Sequence, residues 1–182
     1  MSNIYQFVYG QPLYRIIMIM IFGIFIWGYF GYKANGKLWW QLANGALCVL
    51  MIVCILGTTI FTRSVGTREL VLIPFHSFVV AKSQTELYRS MLMNVFLFFF
   101  YGLVLPFAFP KRFPHKLIMT IITGFAFSAA IEILQFLLCL GRCEVDDVLM
   151  NTFGMLIGVG GYIWAHYLQH FRIKKRFDTY PR

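Results

Sequence analysis

The chain has 182 residues, the length of a single domain, but 59% of them are hydrophobic and only 13% are charged, about half the charged share of soluble proteins. This composition excludes a soluble globular protein. The net charge of +9 does not indicate nucleic-acid binding, because the basic residues lie in short connections and near the C-terminus, where membrane topology and anionic lipid account for them.

Five apolar runs are each long enough to cross a membrane as a helix, which takes about 20 residues. The first run is too long for the apolar part of a cleaved signal peptide, so we expect it to stay as a helix. The sequence therefore predicts an all-α, polytopic transmembrane bundle of about five spans. The predicted spans are residues 13–32, 38–61, 88–109, 117–140 and 148–168, within a single domain over 1–168 that a basic tail over 169–182 follows.

The longest connection, residues 62–87, carries the apolar run Leu70-Val71-Leu72-Ile73-Pro74-Phe75. This run is too short to span and contains a proline, so we expect an interfacial or re-entrant segment between the second and third spans. Ser83 and Glu86 match the S-x-x-E capping box, which predicts the start of the third helix.

The basic residues also predict an orientation. With five spans the termini lie on opposite sides, and ten of the sixteen Lys and Arg residues fall on the side of the C-terminus. The positive-inside rule then places the C-terminus in the cytoplasm and the N-terminus outside. The tail interleaves basic and apolar residues, which is typical of contact with anionic membrane lipid.

Polar residues inside the fourth span are the first sign of a site. Glu132 is the only acidic residue within a predicted span, and Ser128, Gln135 and Cys139 share its helix face. An ionisable residue at such a position costs about 2.5–3.5 kcal/mol on insertion scales. It therefore indicates a partner, a cavity or a function.

The fifth span carries a matching stripe. Asp147, Asn151, Gly154 and Gly158 recur at spacings of three and four, and the G-x-x-x-G pair predicts close helix packing. Because a short connection joins the fourth and fifth spans, they are antiparallel neighbours whose polar ends lie on one side.

Asn94 enters the third span from that same side, and the helical rise of about 1.5 Å per residue puts Glu132 roughly 13 Å below the surface. By the charge count, this side is the outer leaflet. The predicted ligand-binding residues are Asn94, Glu132, Gln135, Arg142, Asp146, Asp147 and Asn151.

Several motifs in order carry a family resemblance. They are Leu72-Ile73-Pro74-Phe75, Asn94 with Phe98 and Gly102, Glu132-x-x-Gln135, Gly141-Arg142, Asp146-Asp147 and Asn151-x-x-Gly154. Over about residues 63–165 this pattern resembles the VanZ family of bacterial membrane proteins. Val71 and Phe100 depart from it, where members often have asparagine and proline.

The resemblance implies a multi-pass protein of the bacterial cell membrane that lowers sensitivity to glycopeptide antibiotics, teicoplanin above all. It implies no settled biochemical mechanism. Our leading hypothesis is a non-enzymatic protein, without cofactor, whose outer-leaflet pocket binds an envelope lipid, a lipid-linked cell-wall precursor or the glycopeptide.

Two other functions stay open. One is an integral membrane enzyme or transporter acting on a lipid-linked substrate, with Glu132 and Asp147 as the catalytic candidates. The other is a structural subunit that docks a membrane partner through Gly154 and Gly158. The chain lacks the common nucleophile, hydrolase and phosphate-loop motifs, which favours the non-enzymatic hypothesis. The oligomeric state stays open.

Each polar residue also has a purely structural interpretation. Glu132 and Gln135 would tie helices together, Asp146 or Asp147 would cap a helix, and Arg142 would pair with a loop carboxylate. We predict no metal site, since no histidine joins the oxygen set. The four cysteines indicate neither a zinc site nor a disulfide framework.

Overall fold

The computed structural model describes residues 13–34, 36–61, 63–66, 68–81, 85–110 and 114–179. Its five spanning helices are α1 (Leu13–Ala34), α2 (Leu38–Leu56), α4 (Thr85–Ala108), α5 (His115–Leu137) and α6 (Val145–Thr179). All five are long and apolar enough to cross a membrane, which confirms the predicted all-α, multi-pass bundle. A π-helical segment, Gly57–Phe61, extends α2.

Two short strands and one short helix lie in the connections. β1 (Glu69–Val71) precedes α3 (His76–Ala81), and β2 (Arg142–Glu144) precedes α6. The strands pair in parallel, with Glu69 opposite Arg142. No local pattern predicted this pairing, because its strands come from different connections.

The predicted interfacial segment covers one end of the bundle. It consists of β1, a turn at which Phe75 has a φ of 64°, and α3, with the exposed apolar side chains of Leu72, Ile73 and Val79 on its outer side. We use the word cap for the described residues 63–66 and 68–81 together with 138–144.

α4 is the central helix, and its membrane-spanning part is the most buried of the five. Apolar residues surround it on all sides, which is typical of a helix enclosed by others. Phe98 and Phe99 are almost fully buried. The outer helices α1 and α2 instead expose large apolar side chains, among them Phe22 and Val53, as lipid contact requires.

Glycines let α4 and α6 touch through their backbones. A Cβ at Gly154 would overlap the backbone carbonyl of Val95, and one at Gly158 would overlap that of Phe99. On α4, Gly102 meets the backbone of Met155 in the same way. The glycine face of α6 is therefore occupied within the chain, which removes the feature on which the partner-docking hypothesis rested.

The helix limits differ from the predicted spans at three places. α5 ends at Leu137, because Cys139 takes a left-handed φ of 55°. α6 begins at Val145 and continues to Thr179, since neither glycine nor proline interrupts residues 169–179. Much of the predicted basic tail is thus helical. α4 starts at Thr85, and Ser83 of the capping box predicted there lies outside the described residues, as do residues 1–12 and 180–182.

Gly158→Ala should destabilise the protein. The added methyl group would force α4 and α6 apart, and such overpacking costs about 1–3 kcal/mol. Thermal unfolding of the purified protein in detergent measures this as a lower Tm. Gly160→Ala is the matched control, because its Cβ would meet only the Ile24 side chain at 3.5 Å, an ordinary contact. Equal Tm values for the two variants would contradict the packing argument.

Candidate functional site

Most of the buried polar side chains lie in the cap or beneath it, where α2 and α5 end and α4 and α6 begin. The polar cluster consists of eight residues that are each at most 8% exposed, together with the half-buried Asn94 and Asp147. The eight are Thr59, Ser77, Ser128, Glu132, Gln135, Glu144, Asp146 and Asn151.

Glu132 lies directly below β2. It is 4% exposed, and one carboxylate oxygen accepts a hydrogen bond of 3.0 Å from the backbone N–H of Glu144. The predicted depth of roughly 13 Å below the loop is therefore wrong. Because α5 ends early and Leu140 N–H returns to the carbonyl of Gln135 at 2.9 Å, the connection folds inward over the carboxylate.

Asp147 is joined to α4 and to the cap. Asn94 Nδ2 donates to its Oδ1 at 2.8 Å. Arg63, in the cap, lies near enough to attract the carboxylates of both Asp147 and Glu132. The carboxylate of Glu144 repels both of these carboxylates, so at least three carboxylates and one guanidinium share a partly dry environment in which charges interact more strongly than in water.

The two amide side chains tie helices together through their NH2 groups. Gln135 Nε2 donates to the backbone carbonyl of Thr59 at 3.0 Å, and Asn151 Nδ2 donates to Ser128 Oγ at 2.8 Å. The other atom of each amide, Oε1 of Gln135 and Oδ1 of Asn151, is buried without a hydrogen-bond partner. Part of the cluster therefore acts as a helix-tying network, as the structural interpretation expected.

Asp146 and Glu144 anchor the cap. Asp146 accepts hydrogen bonds from the backbone N–H groups of Phe75 at 2.6 Å and Ser77 at 2.8 Å. The Ser77 hydroxyl donates to Glu144 Oε2 at 2.6 Å. Asp146 therefore caps α3 and not α6. From the sequence, we expected a carboxylate at this position to cap α6, the helix that begins beside it.

Arg142 lies at the rim of the cluster. Its Nε is 2.7 Å from Glu69 Oε2, and its Nη1 is 3.8 Å from Glu144 Oε1. The Arg142 side chain is 54% exposed and that of Glu69 is 49% exposed. The pairing with a loop carboxylate is thus present, and it involves Glu69 as well as Glu144. An exposed ion pair of this kind contributes about 0–1 kcal/mol.

The predicted residues fall into three groups. Asn94, Glu132, Gln135, Asp147 and Asn151 are buried or half-buried in the layer beneath the cap; Asp146 points into the cap; and Arg142 remains exposed at the rim. All come from the same end of the bundle, but Arg142 does not join the buried group.

Sequence reasoning missed Arg63, Thr59 and Ser77 as members of the site. Arg63 and Glu69 were considered only for the orientation in the membrane, although a charged residue close to the end of a span can itself indicate a site. No feature of the sequence indicated that Ser77 belongs to the site, because its partners Glu144 and Asp146 are 67 and 69 residues away.

Within the described residues, no group of three or more His, Cys, Asp and Glu side chains is placed to hold a metal ion. The four cysteines, all within the described residues, are free thiols. Partial burial and the nearby carboxylates of Glu132 and Asp147 raise the pKa of the Cys143 thiol, so this thiol stays protonated at neutral pH.

A family model described as VanZ/LLP1 matches residues 45–166. The match takes in well over half of the chain, including the cap and the whole polar cluster. The chain therefore belongs to the VanZ/LLP1 family, which confirms the resemblance found in the motifs. No curated protein and no solved structure matches the chain.

Asp146→Ala should loosen the cap. It removes the acceptor of two charge-assisted hydrogen bonds, each worth about 1.5–3 kcal/mol, so amide hydrogen exchange at Phe75 and Ser77 should become at least about tenfold faster. Asn94→Ala is the control, since Asn94 bonds within the same cluster but to Asp147. Unchanged protection of both amides in Asp146→Ala would show that the carboxylate does not hold the cap.

Proposed function

We propose that this member of the VanZ/LLP1 family lowers the sensitivity of a bacterial cell to teicoplanin-type glycopeptides by binding an envelope lipid at the cap and the polar cluster. The lipid carries a phosphate headgroup, as a lipid-linked cell-wall precursor does. The observation that carries the proposal is the half-exposed guanidinium of Arg142 beside exposed apolar side chains of the cap.

Strand pairing sets the position of Arg142. It lies opposite Glu69 at the start of β1, and the chain that follows exposes Leu70, Leu72 and Ile73. A planar guanidinium binds phosphate oxygens in a bidentate manner, while apolar side chains at an interface contact acyl or prenyl chains. Headgroup and tail of one lipid would thus be recognised side by side.

The ion pair with Glu69 does not prevent this binding. Both side chains are about half exposed, and the pair contributes little, so a phosphate can replace the Glu69 carboxylate at the guanidinium. Asp146 and Glu144 hold the cap in position from below.

We place this end of the bundle in the outer leaflet, since the opposite side carries ten of the sixteen basic residues. A protein that binds an envelope lipid there reduces the access of a lipid-tailed glycopeptide to the membrane surface or to its lipid-linked target. No catalytic step and no cofactor are needed.

Arg142→Ala should remove the protection. In cells producing equal amounts of protein, the inhibitory concentration of teicoplanin should fall to that of cells without the protein, and native mass spectrometry should show loss of a phosphate-bearing lipid that the wild type retains. Arg142→Lys should restore only part of both effects, because an ammonium lacks the bidentate fork.

Arg15→Ala is the matched control, since Arg15 is another exposed arginine in the first turn of a spanning helix, α1, and lies outside the cap. It should behave as the wild type does. Full protection and unchanged lipid retention in Arg142→Ala would refute the proposal.

The buried charges favour a second candidate, an enzyme or transporter acting on a lipid-linked substrate. Glu132 and Asp147 lie close enough to interact, and such intramembrane carboxylates commonly carry protons. In reconstituted vesicles this candidate predicts pH-dependent conversion or movement of the substrate, lost in Glu132→Gln and kept in Arg15→Ala. Binding without turnover by the wild type would exclude it.

A further inference from the structure

The guanidinium of Arg142 lies between two carboxylates that are held differently. Its Nε is 2.7 Å from Glu69 Oε2, and its Nη1 is 3.8 Å from Glu144 Oε1. The Glu144 side chain is 10% exposed, and its other oxygen accepts a hydrogen bond of 2.6 Å from the Ser77 hydroxyl. The Glu69 side chain is 49% exposed. Glu144 is therefore fixed on the buried side of the guanidinium, whereas Glu69 can turn into water.

Strand pairing places Glu69 and Arg142 side by side. They are direct partners in the parallel pairing of β1 with β2, and neighbouring strands lie about 5 Å apart. Separating their charged groups needs only the rotation of two half-exposed side chains, and an exposed ion pair of this kind contributes little to stability. The opened pair presents one positive and one negative group at the same edge of the cap.

The other arginines of the cap have different partners. Arg68 donates a hydrogen bond of 3.2 Å to the carbonyl of Leu137, at the C-terminal end of α5. Arg63 attracts the carboxylates of Glu132 and Asp147 beneath the cap. Among the described residues of the cap, Arg142 is thus the arginine that an exposed carboxylate holds.

The charges at this end of the bundle decide which headgroup fits beside Arg142. Among the described residues of the cap and the polar cluster, carboxylates outnumber guanidinium groups even if Glu132 is protonated. They are Glu69, Glu132, Glu144, Asp146 and Asp147 against Arg63, Arg68 and Arg142. A purely anionic headgroup would add to this excess, and it would leave the displaced Glu69 carboxylate unpaired beside it. Both effects oppose its binding.

A zwitterionic headgroup avoids both costs. Its phosphate binds the guanidinium of Arg142 in a bidentate manner, and its ammonium pairs with the Glu69 carboxylate that the phosphate displaces. In an ethanolamine phosphate only two carbon atoms join these groups, which suits two side chains whose strands lie about 5 Å apart. Each charge then has a partner, and the net charge of the site is unchanged.

We propose that Glu69 is a second binding residue for the lipid, and that it binds a primary ammonium group of the headgroup whose phosphate Arg142 binds. The ligand is then a zwitterionic aminophospholipid, with its acyl chains against the exposed side chains of Leu72 and Ile73. This inference rests on the proposed function, because it requires the phosphate at Arg142. Glu69 adds selection among headgroups by charge.

The test is competition between two lipids, measured by native mass spectrometry of the purified full chain. Phosphatidylethanolamine and phosphatidylglycerol with identical acyl chains are added in equal amounts. Both carry one phosphodiester, but only the first carries an ammonium group. The wild type should retain phosphatidylethanolamine in roughly fivefold excess, the factor that one exposed charge pair provides. Equal retention of the two lipids, or an excess of phosphatidylglycerol, would overturn the proposal.

Two variants of Glu69 locate the preference. Glu69→Gln keeps the size of the side chain without its negative charge, so the two lipids should be retained almost equally. Glu69→Asp keeps a carboxylate and should keep a preference for phosphatidylethanolamine. Because Glu69 is half exposed, neither change should unfold the cap. An undiminished preference in Glu69→Gln would also overturn the proposal.

Arg142→Ala separates this inference from the function on which it rests. This variant should retain neither lipid above background. If it retains both lipids as the wild type does, the proposed function and this inference both fail. If it loses both lipids while the wild type shows no preference between them, only the role of Glu69 fails.

Discussion

The carboxylate of Asp146 holds the cap on the bundle, and the polar end of the protein depends on this contact. It accepts the backbone N–H groups of Phe75 and Ser77 at 2.6 and 2.8 Å. At the membrane boundary a non-helical backbone is tolerated only where protein or water satisfies its polar groups. Asp146 supplies that acceptor from the first turn of α6. It thereby holds the turn that contains Phe75, a residue with a left-handed φ, over the buried carboxylates.

The close packing of α4 against α6 supports the same end. Both helices begin beneath the cap and run parallel, and Gly154 brings the backbone of α6 against that of Val95. The neighbouring Asn94 can then reach Asp147 at 2.8 Å, because side chains on a helix lean toward its N-terminus. The glycines that the sequence suggested as a docking face thus serve to assemble the polar cluster.

The polar end has two layers with different chemistry. The outer layer joins an exposed guanidinium, Arg142, to exposed apolar side chains, the combination to which we assign lipid binding. The inner layer holds buried carboxylates, one cap arginine and two amide oxygens without donors. The hydrogen bond from the Glu144 backbone to Glu132 connects the two layers.

The sequence alone predicts the five spans, because a membrane core demands about 20 apolar residues per helix, and the short connection between the fourth and fifth spans predicts that Glu132, Asp147 and Asn151 lie at one end of the bundle. Both are local properties of the chain. That Asp146 caps α3 and that Arg142 pairs with Glu69 could be learned from the folded structure alone, since these partners are 69 to 73 residues apart. Contacts between connections follow no repeat, and the packing of the helices alone brings them together.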